Sequence, residues 1–294
     1  MDKPKSDNLV RLNKFIADSG VASRRKADDL IAGGAVQVNG KTIYELGVKV
    51  HPVRDRITVS GKPVKPVHQR LYVAFYKPEN VLTSMSDPQG RPTVNDYVTG
   101  LPVRVFPVGR LDWDTEGLLL LTNDGDFAQK ISHPKTAIPK TYLAKLNAVP
   151  TQFQLEKLRR GVTIPGGKAA ALKAERAYIG DSEKYAWVKI IITEGRNRQV
   201  RKMFEKVGLD VKKLKRIAIG KLEIGPLKKG KFLFLGPRGV AEALSSDLKD
   251  LPKRSPKDAR SQRAEDFQSS RSTRRPGKPP RGPRKASRSL KTPN

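Results

Sequence analysis

The 294-residue chain contains no cysteine and only three histidines, His51, His68 and His133. Without cysteine there is no disulfide, no thiolate nucleophile and no Cys-based zinc site, and so few histidines disfavour a multi-histidine metal site. No apolar run approaches the roughly 20 residues that a membrane-spanning helix needs. The polar, mixed-charge start of the chain does not match a secretory signal. These absences predict a cytoplasmic protein that uses neither a metal nor a cofactor.

Acidic residues are scarce beside basic ones, with 29 Asp and Glu against 59 Lys and Arg, a formal net charge of +30. An excess of this size predicts a polyanionic partner and salt-sensitive association. An anionic membrane surface is the weaker candidate because no segment is long and apolar enough to span a bilayer. The recognition-helix and zinc-finger patterns typical of a DNA-binding regulator are also missing, which favours RNA.

Composition and hydrophobic periodicity divide the chain into four segments. Residues 9–62 fit a small αα-β domain and residues 63–70 a linker. Residues 71–244 mix β-type and helical runs irregularly, which indicates an α+β domain. Residues 245–294 are predicted to be a disordered basic tail, because the stretch from Pro252 onward carries 14 Lys and Arg against 3 Asp and Glu and only two large apolar residues. Such a tail is either a solvated extension or an arm that binds RNA non-specifically.

Five cations in the first domain are candidates for contact with RNA. Three of them open the second predicted helix directly after its expected N-cap, Ser23, where the helix dipole disfavours positive charge. Backbone N–H groups and cations together would suit a phosphate there, and a solvated helix end is the alternative. The five residues are Arg11, Lys14, Arg24, Arg25 and Lys26.

The first domain also resembles a known RNA-binding module. Segments 11–17, 22–27 and 36–40 look like the alpha-L RNA-binding motif, which occurs in a small-subunit ribosomal protein, in some tRNA synthetases and in RNA-modifying enzymes. The resemblance implies a module that contacts phosphates and reads the shape of RNA more than its sequence.

A charged stretch between Gly109 and Gly117 precedes an apolar strand and holds three carboxylates, those of Asp112, Asp114 and Glu116. We interpret this stretch as a loop beside a sheet, and loops held by rigid strands are common places for chemistry. The residues alone do not choose among the three carboxylates. Each is a catalytic candidate or part of a solvated loop.

The run from Pro107 to Gly125 resembles the signature of pseudouridine synthases of the RsuA/RluB type, which modify ribosomal RNA. Segments 76–82 and 87–94 are similar to the same family, although Asn80 stands where glycine is common. The family's catalytic aspartate directly follows Arg-Leu, which implies that it is Asp112. Arg110 is then expected to hold a phosphate or to fill the space that a displaced base leaves.

Two later segments resemble further motifs of this family. Segment 139–142 is similar to the second motif, whose tyrosine lines the pocket and stacks on the uracil, so Tyr142 is expected there. Segment 194–203 is similar to the third motif, which implies that Arg201 pairs with Asp112 and that Val200 packs beneath the base. Without the resemblance, Tyr142 suits a core position and segment 194–203 suits a phosphate-binding helix start.

The resemblance covers residues from about 9 to 240. It implies a mixed, mainly antiparallel β-sheet catalytic domain with flanking helices and a central cleft. It also implies a monomeric isomerase that makes pseudouridine in ribosomal RNA, free or in an assembling subunit. The sequence of segment 114–117 and the basic C-terminal extension favour 23S over 16S ribosomal RNA as the substrate. The alternative of a different class is a non-catalytic ribosome assembly factor, which would not require Asp112, Tyr142 and Arg201 to share a cleft.

Overall fold

The computed structural model describes residues 9–177 and 186–247. Residues 248–294, which hold nearly all of the expected tail, lie outside this description. The α-helices are α1 (Leu12–Asp18), α2 (Arg24–Ala32), α3 (Gly125–Ser132), α4 (Gln152–Arg160), α5 (Gln199–Glu205) and α6 (Pro237–Leu244). Short 3-10 helices span Val94–Tyr97 and Pro134–Thr136. None of the helices in the described ranges has the length and apolar character to cross a membrane.

The strands fall into a small N-terminal group and a larger second group. The first comprises β1 (Val10–Arg11), β2 (Val36–Val38), β3 (Lys41–Thr42), β4 (Lys49–Val50), β5 (Ile57–Val59) and β6 (Lys62–Val64). The second begins with β7 (Tyr72–Lys77), β8 (Phe106–Val108), β9 (Thr115–Thr122), β10 (Lys140–Leu146), β11 (Val162–Ile164) and β12 (Gly167–Ala169). It continues with β13 (Lys173–Ala177), β14 (Trp187–Ile192), β15 (Val211–Ile219), β16 (Leu222–Glu223) and β17 (Phe232–Phe234).

The N-terminal module packs α1 and α2 against a four-stranded sheet in the order β3-β2-β5-β6. Ser23 caps α2 as expected, because its side chain accepts a hydrogen bond from the backbone N–H of Lys26. An Asn39-Gly40 hairpin turn joins β2 to β3, with positive φ at both residues. Residues 63 and 64 belong to β6, so strand structure extends into the segment expected to be a linker.

The large sheet follows the order β13-β14-β10-β15-β9-β7-β17, with β8 added to β9 and β16 added to β15. Every pairing in it is antiparallel except that of β9 with β15, which is parallel. The expected mixed, mainly antiparallel sheet is therefore confirmed. The parallel pair sets the start of β9 beside the middle of β15, and residues 109–114 lead directly into this start.

Strand β9 is buried on both faces, which explains its run of four leucines. Leu119 and Leu121 pack into a core that also contains residues of α4 and α5. Leu118 and Leu120 pack into a second core, which contains residues of α3 and α6. The central strand is thereby fixed from both sides.

Gly117 is required where β9 meets β15. It has a φ of +113°, and a Cβ at this position would lie 2.2 Å from the carbonyl oxygen of Arg216 and 2.7 Å from its nitrogen. Any side chain here would therefore be strained and would also push the two strands apart.

We expect Gly117→Ala to lower the free energy of unfolding by about 2–5 kcal/mol, because it combines backbone strain with overpacking. Urea unfolding followed by tryptophan fluorescence measures this loss, since the only two tryptophans, Trp113 and Trp187, lie in the second part of the chain. Gly125→Ala is the control, because a Cβ there meets nothing within 4 Å. Equal stability of the two variants would contradict the close strand approach.

Candidate active site

A cleft of about 340 Å³ opens beside the start of β9. Four of the residues predicted for the pocket line it: Arg110, Asp112, Tyr142 and Val200. They come from the loop before β9, from β10 and from the first turn of α5. The fold thus brings together segments that are as much as 90 positions apart in the sequence.

The backbone around Asp112 is held from several sides. Its carbonyl oxygen accepts hydrogen bonds from the Thr115 N–H at 3.1 Å and from Lys77 Nζ at 3.1 Å. The preceding residue, Leu111, exchanges hydrogen bonds with the Thr83 hydroxyl, which donates to its carbonyl at 2.7 Å and accepts from its N–H at 3.2 Å. Among the described residues, none forms a hydrogen bond or ion pair with the Asp112 carboxylate. The loop is therefore fixed while its carboxylate faces the cleft.

Lys77, at the end of β7, is a buried residue that sequence reasoning missed. Its side chain is 0% exposed, and Nζ donates to three carbonyl oxygens, those of Pro78 at 2.8 Å, Asp112 at 3.1 Å and Thr115 at 2.9 Å. Burial lowers the pKa of Lys77 to about 8, against the opposing effect of nearby Asp112 and Asp114. The available signal was a lysine that ends an otherwise apolar strand.

Arg201 is paired differently from the expectation. Its guanidinium forms an ion pair with Asp114 at 3.2 Å and donates to the Asp114 carbonyl at 2.9 Å, so its ionic partner is Asp114 and not Asp112. Arg198 also binds the Asp114 carboxylate through both terminal nitrogens at 3.1 Å. Val200 and Arg198 line the cleft, whereas Arg201 is not among the residues that line it.

The charge on Asp114 is stabilised by these two arginines. Burial raises the pKa of Asp114, but the hydrogen bonds from Arg198 and the positive charges of Arg201 and Arg198 outweigh it, so the pKa falls below its ordinary value. Arg198 adopts a left-handed conformation with φ of 50° immediately before α5, and the helix starts at Gln199. Asp114 therefore joins the loop before β9 to α5.

Glu116 does not lie in the loop, contrary to expectation. Strand β9 begins at Thr115, and the Glu116 side chain is largely buried and forms an ion pair with Lys229. Burial raises the pKa of Tyr76, and Glu116 raises it further. A strand position is possible because Lys229 compensates the charge. Glu116 is not among the residues that line the cleft.

Two more cations that sequence reasoning did not single out line the cleft, Lys140 and Arg216. Both are buried, and both come from strands that flank Tyr142 or carry it. Lys140 stands within the segment that resembles the second family motif, so its position there was an available signal. The sequence gives no such signal for Arg216. Strand β15 contains several cations, and the face of the sheet that each one occupies depends on how the neighbouring strands pair with it.

The cations proposed for RNA contact in the N-terminal module are placed as follows. Arg11, Arg24, Arg25 and Lys26 are exposed. Lys14 is half-buried and forms an ion pair with Asp18 at 2.7 Å. The Arg11, Arg24 and Arg25 side chains are available to a polyanion, whereas Lys14 and Lys26, which pairs with Asp29 at 3.8 Å, would first have to leave their partners.

Within residues 9–177 and 186–247, no group of three or more histidine, aspartate or glutamate side chains is arranged to hold a metal ion.

Comparison with known proteins gives a consistent picture. Residues 71–206 match the family model described as RNA pseudouridylate synthase, and residues 10–57 match the S4 domain. The chain is 46% identical over 232 residues to ribosomal large subunit pseudouridine synthase B of Bacillus subtilis (strain 168), covering 79% of this chain and 94% of that protein. It is 43% identical over 248 residues to an uncharacterized RNA pseudouridine synthase of Aquifex aeolicus (strain VF5), covering 83% and 98%.

A solved structure is similar as well. A crystal structure of pseudouridylate synthase superposes with a TM-score of 0.57 at 28% identity, covering 80% of this chain and 99% of that one.

We expect Lys77→Met to destabilise the protein by about 2–4 kcal/mol, because three buried carbonyl oxygens would lose a charged donor. The urea midpoint measures this change. The control is Lys173→Met, an exposed lysine of β13 that pairs with Glu175, for which a change within about 0.5 kcal/mol is expected. A Lys77 variant as stable as the wild type would show that the ammonium group does not hold the Asp112 loop.

Proposed function

The chain belongs to the family of RNA pseudouridine synthases, and we propose that it isomerises a specific uridine of large-subunit (23S) ribosomal RNA to pseudouridine. The single observation that carries the proposal is the convergence of Asp112, Tyr142 and Val200 on one cleft. A non-catalytic assembly factor would need the basic module alone. The identity to the Bacillus subtilis large-subunit enzyme favours 23S over 16S ribosomal RNA as the substrate.

The reaction breaks the N1–C1′ bond of uridine, turns the uracil and joins its C5 to C1′, while C5 releases a proton and N1 takes one up. No atom is gained or lost, and no redox change occurs. The target base must first leave its stack to enter a cleft of this size. A volume of about 340 Å³ lies at the lower end of the usual range for small-molecule sites and accommodates one nucleoside.

Asp112 is the proposed catalytic residue. Positive charge develops on the ribose as the glycosidic bond breaks, and a carboxylate at C1′ can attack that carbon, stabilise the charge or remove the C2′ proton. All three routes need an ionised carboxylate on a fixed backbone. The hydrogen bonds from Lys77 and Thr115 to the Asp112 carbonyl support this role, as does the absence of a competing partner for the carboxylate among the described residues.

The remaining pocket residues have binding and positioning roles in this proposal. Tyr142 stacks on the uracil and is close to the C5 proton, and Val200 packs beneath the base. Arg110, exposed at the rim, holds a phosphate or fills the vacated stack. Arg201 acts through Asp114 as a positioning residue, because its ion pair fixes the loop two residues beyond Asp112.

The proposal also assigns a role to each segment of the chain. Residues 9–62 bind RNA, residues 63–70 connect them to the catalytic residues 71–244, and residues 245–294 form a basic tail that adds non-specific affinity.

The substrate is ribosomal RNA, free or in an assembling subunit. The enzyme acts as a monomer in the cytoplasm, where bacterial ribosomal RNA is found. Exposed Arg24, Arg25 and Lys26 support phosphate contact by the first segment.

We expect Asp112→Asn to reduce pseudouridine formation at least about 10³-fold, because the neutral amide neither attacks C1′ nor compensates its charge. RNA affinity should stay within about threefold, since phosphate contacts dominate it. Release of tritium from C5-labelled uridine in ribosomal RNA measures turnover, and filter binding measures affinity. Asp114→Asn is the matched comparison, with turnover that remains measurable. Wild-type turnover by the Asp112 variant would contradict the assignment.

A further inference from the structure

The cleft contains two buried cations for which the proposed function has so far given no role. The Lys140 and Arg216 side chains belong to residues that are only 8% and 5% exposed, and both line the cleft beside Tyr142. Burying a positive charge is unfavourable unless a partner compensates it. Among the described residues, no carboxylate lies within ion-pair distance of either one.

Arg216 is placed by the strand register. It lies directly opposite Tyr142 across the β10–β15 pair and opposite Gly117 across the parallel β9–β15 pair, so its side chain shares a sheet face with the Tyr142 ring. Its Nε donates to the Leu118 carbonyl at 2.7 Å, whereas Nη2 is buried without a hydrogen-bond partner in the described structure. A buried, unsatisfied guanidinium nitrogen beside an open cleft points to a ligand acceptor.

Lys140 is placed two residues before Tyr142 on β10, and therefore on the same face of the strand. Its Nζ makes one long hydrogen bond, 3.4 Å, to the Thr193 carbonyl. Burial and, to a smaller extent, the charge of Arg216 together lower the pKa of Lys140 to about 8. Lys140 is therefore mostly protonated at neutral pH. Of the N–H donors on its Nζ, only one has a hydrogen-bond partner in the described structure.

We propose that Lys140 and Arg216 bind the oxygens of the target uracil and stabilise the negative charge that this base acquires when the N1–C1′ bond breaks. This inference rests on the proposed function. In the cleavage the bonding electron pair stays with uracil N1 and is shared with O2 and O4. The same electrons then form the C5–C1′ bond, after which the C5 proton leaves and N1 takes up a proton, so that the product is an isomer of uridine. Lys140 and Arg216 are thus catalytic residues that act on the leaving group.

The charge distribution of the cleft fits this division. Asp112 provides a negative group for the ribose, which becomes positive, and the two cations provide a positive region for the departing base. Fixed charges of opposite sign at the two ends of a breaking bond stabilise the transition state more than the neutral substrate. Tyr142 lies opposite Arg216 in the strand register and two residues from Lys140 on β10, and it supplies the stacking surface.

The test uses a target RNA that carries either uridine or 5-fluorouridine at the modified position. Fluorine withdraws electrons and makes uracil a better leaving group, so the modified base needs less stabilisation by the protein. We expect Lys140→Met and Arg216→Met to slow single-turnover conversion of uridine roughly 100-fold. With 5-fluorouridine the loss should be at least about tenfold smaller. Digestion and chromatography of the nucleosides measure the disappearance of either substrate.

The matched control is Lys215→Met, which removes a half-buried lysine from the same strand but from the opposite face, where its Nζ lies 4.7 Å from the centre of the Tyr76 ring. Lys215→Met should change the rate of single-turnover conversion by the same factor for uridine and for 5-fluorouridine. Lys140→Arg, which retains the charge, should recover at least about tenfold over Lys140→Met on uridine. If Arg216→Met does not fold, as judged by circular dichroism, Arg216→Lys replaces it and should show the same substrate dependence.

The outcomes are distinguishable. Equal losses on the two substrates, or no loss, in variants of an active wild type would overturn the leaving-group role. Weakened RNA binding with equal losses would instead identify Lys140 and Arg216 as phosphate ligands and would equally overturn it. A wild type that converts neither substrate would contradict the proposed function itself.

Discussion

The close parallel pairing of β9 with β15 is the constraint on which the rest of the site depends. It needs glycine at position 117, because a Cβ there would occupy the space of the Arg216 backbone. The pairing sets the start of β9, and therefore the loop with Asp112, beside the strand that carries Arg216. Antiparallel pairing of β15 with β10 then adds Tyr142 on the same face.

Electrostatic interactions complete what strand pairing begins. Lys77 fixes the backbone of the loop through its hydrogen bond to the Asp112 carbonyl. Asp114 joins the same loop to α5 through ion pairs with Arg198 and Arg201. Of these charged groups, only Arg198 is among the residues that line the cleft. The carboxylate of Asp112 is left as the one acidic group of the loop that faces the cleft among the described residues. In the proposed reaction, it acts opposite the buried cations.

Much of this arrangement could be predicted from the sequence, and the exceptions have physical reasons. The Ser23 helix cap follows from local chemistry, and Asp112 and Tyr142, which the resemblance predicts in one pocket, line the same cleft. The ionic partner of Arg201 could not be predicted, because Asp112 and Asp114 are only two residues apart and the choice depends on how α5 is oriented. Arg216 was equally hidden, since the face of a strand residue depends on pairing between distant segments.

The most direct test of the account is a map of pseudouridines in ribosomal RNA from cells that lack this protein. If the protein modifies 23S ribosomal RNA as proposed, a single pseudouridine should disappear from the large-subunit RNA. The wild-type protein should restore this pseudouridine, and the Asp112→Asn variant should not. An unchanged map, or restoration by the Asp112→Asn variant, would contradict it.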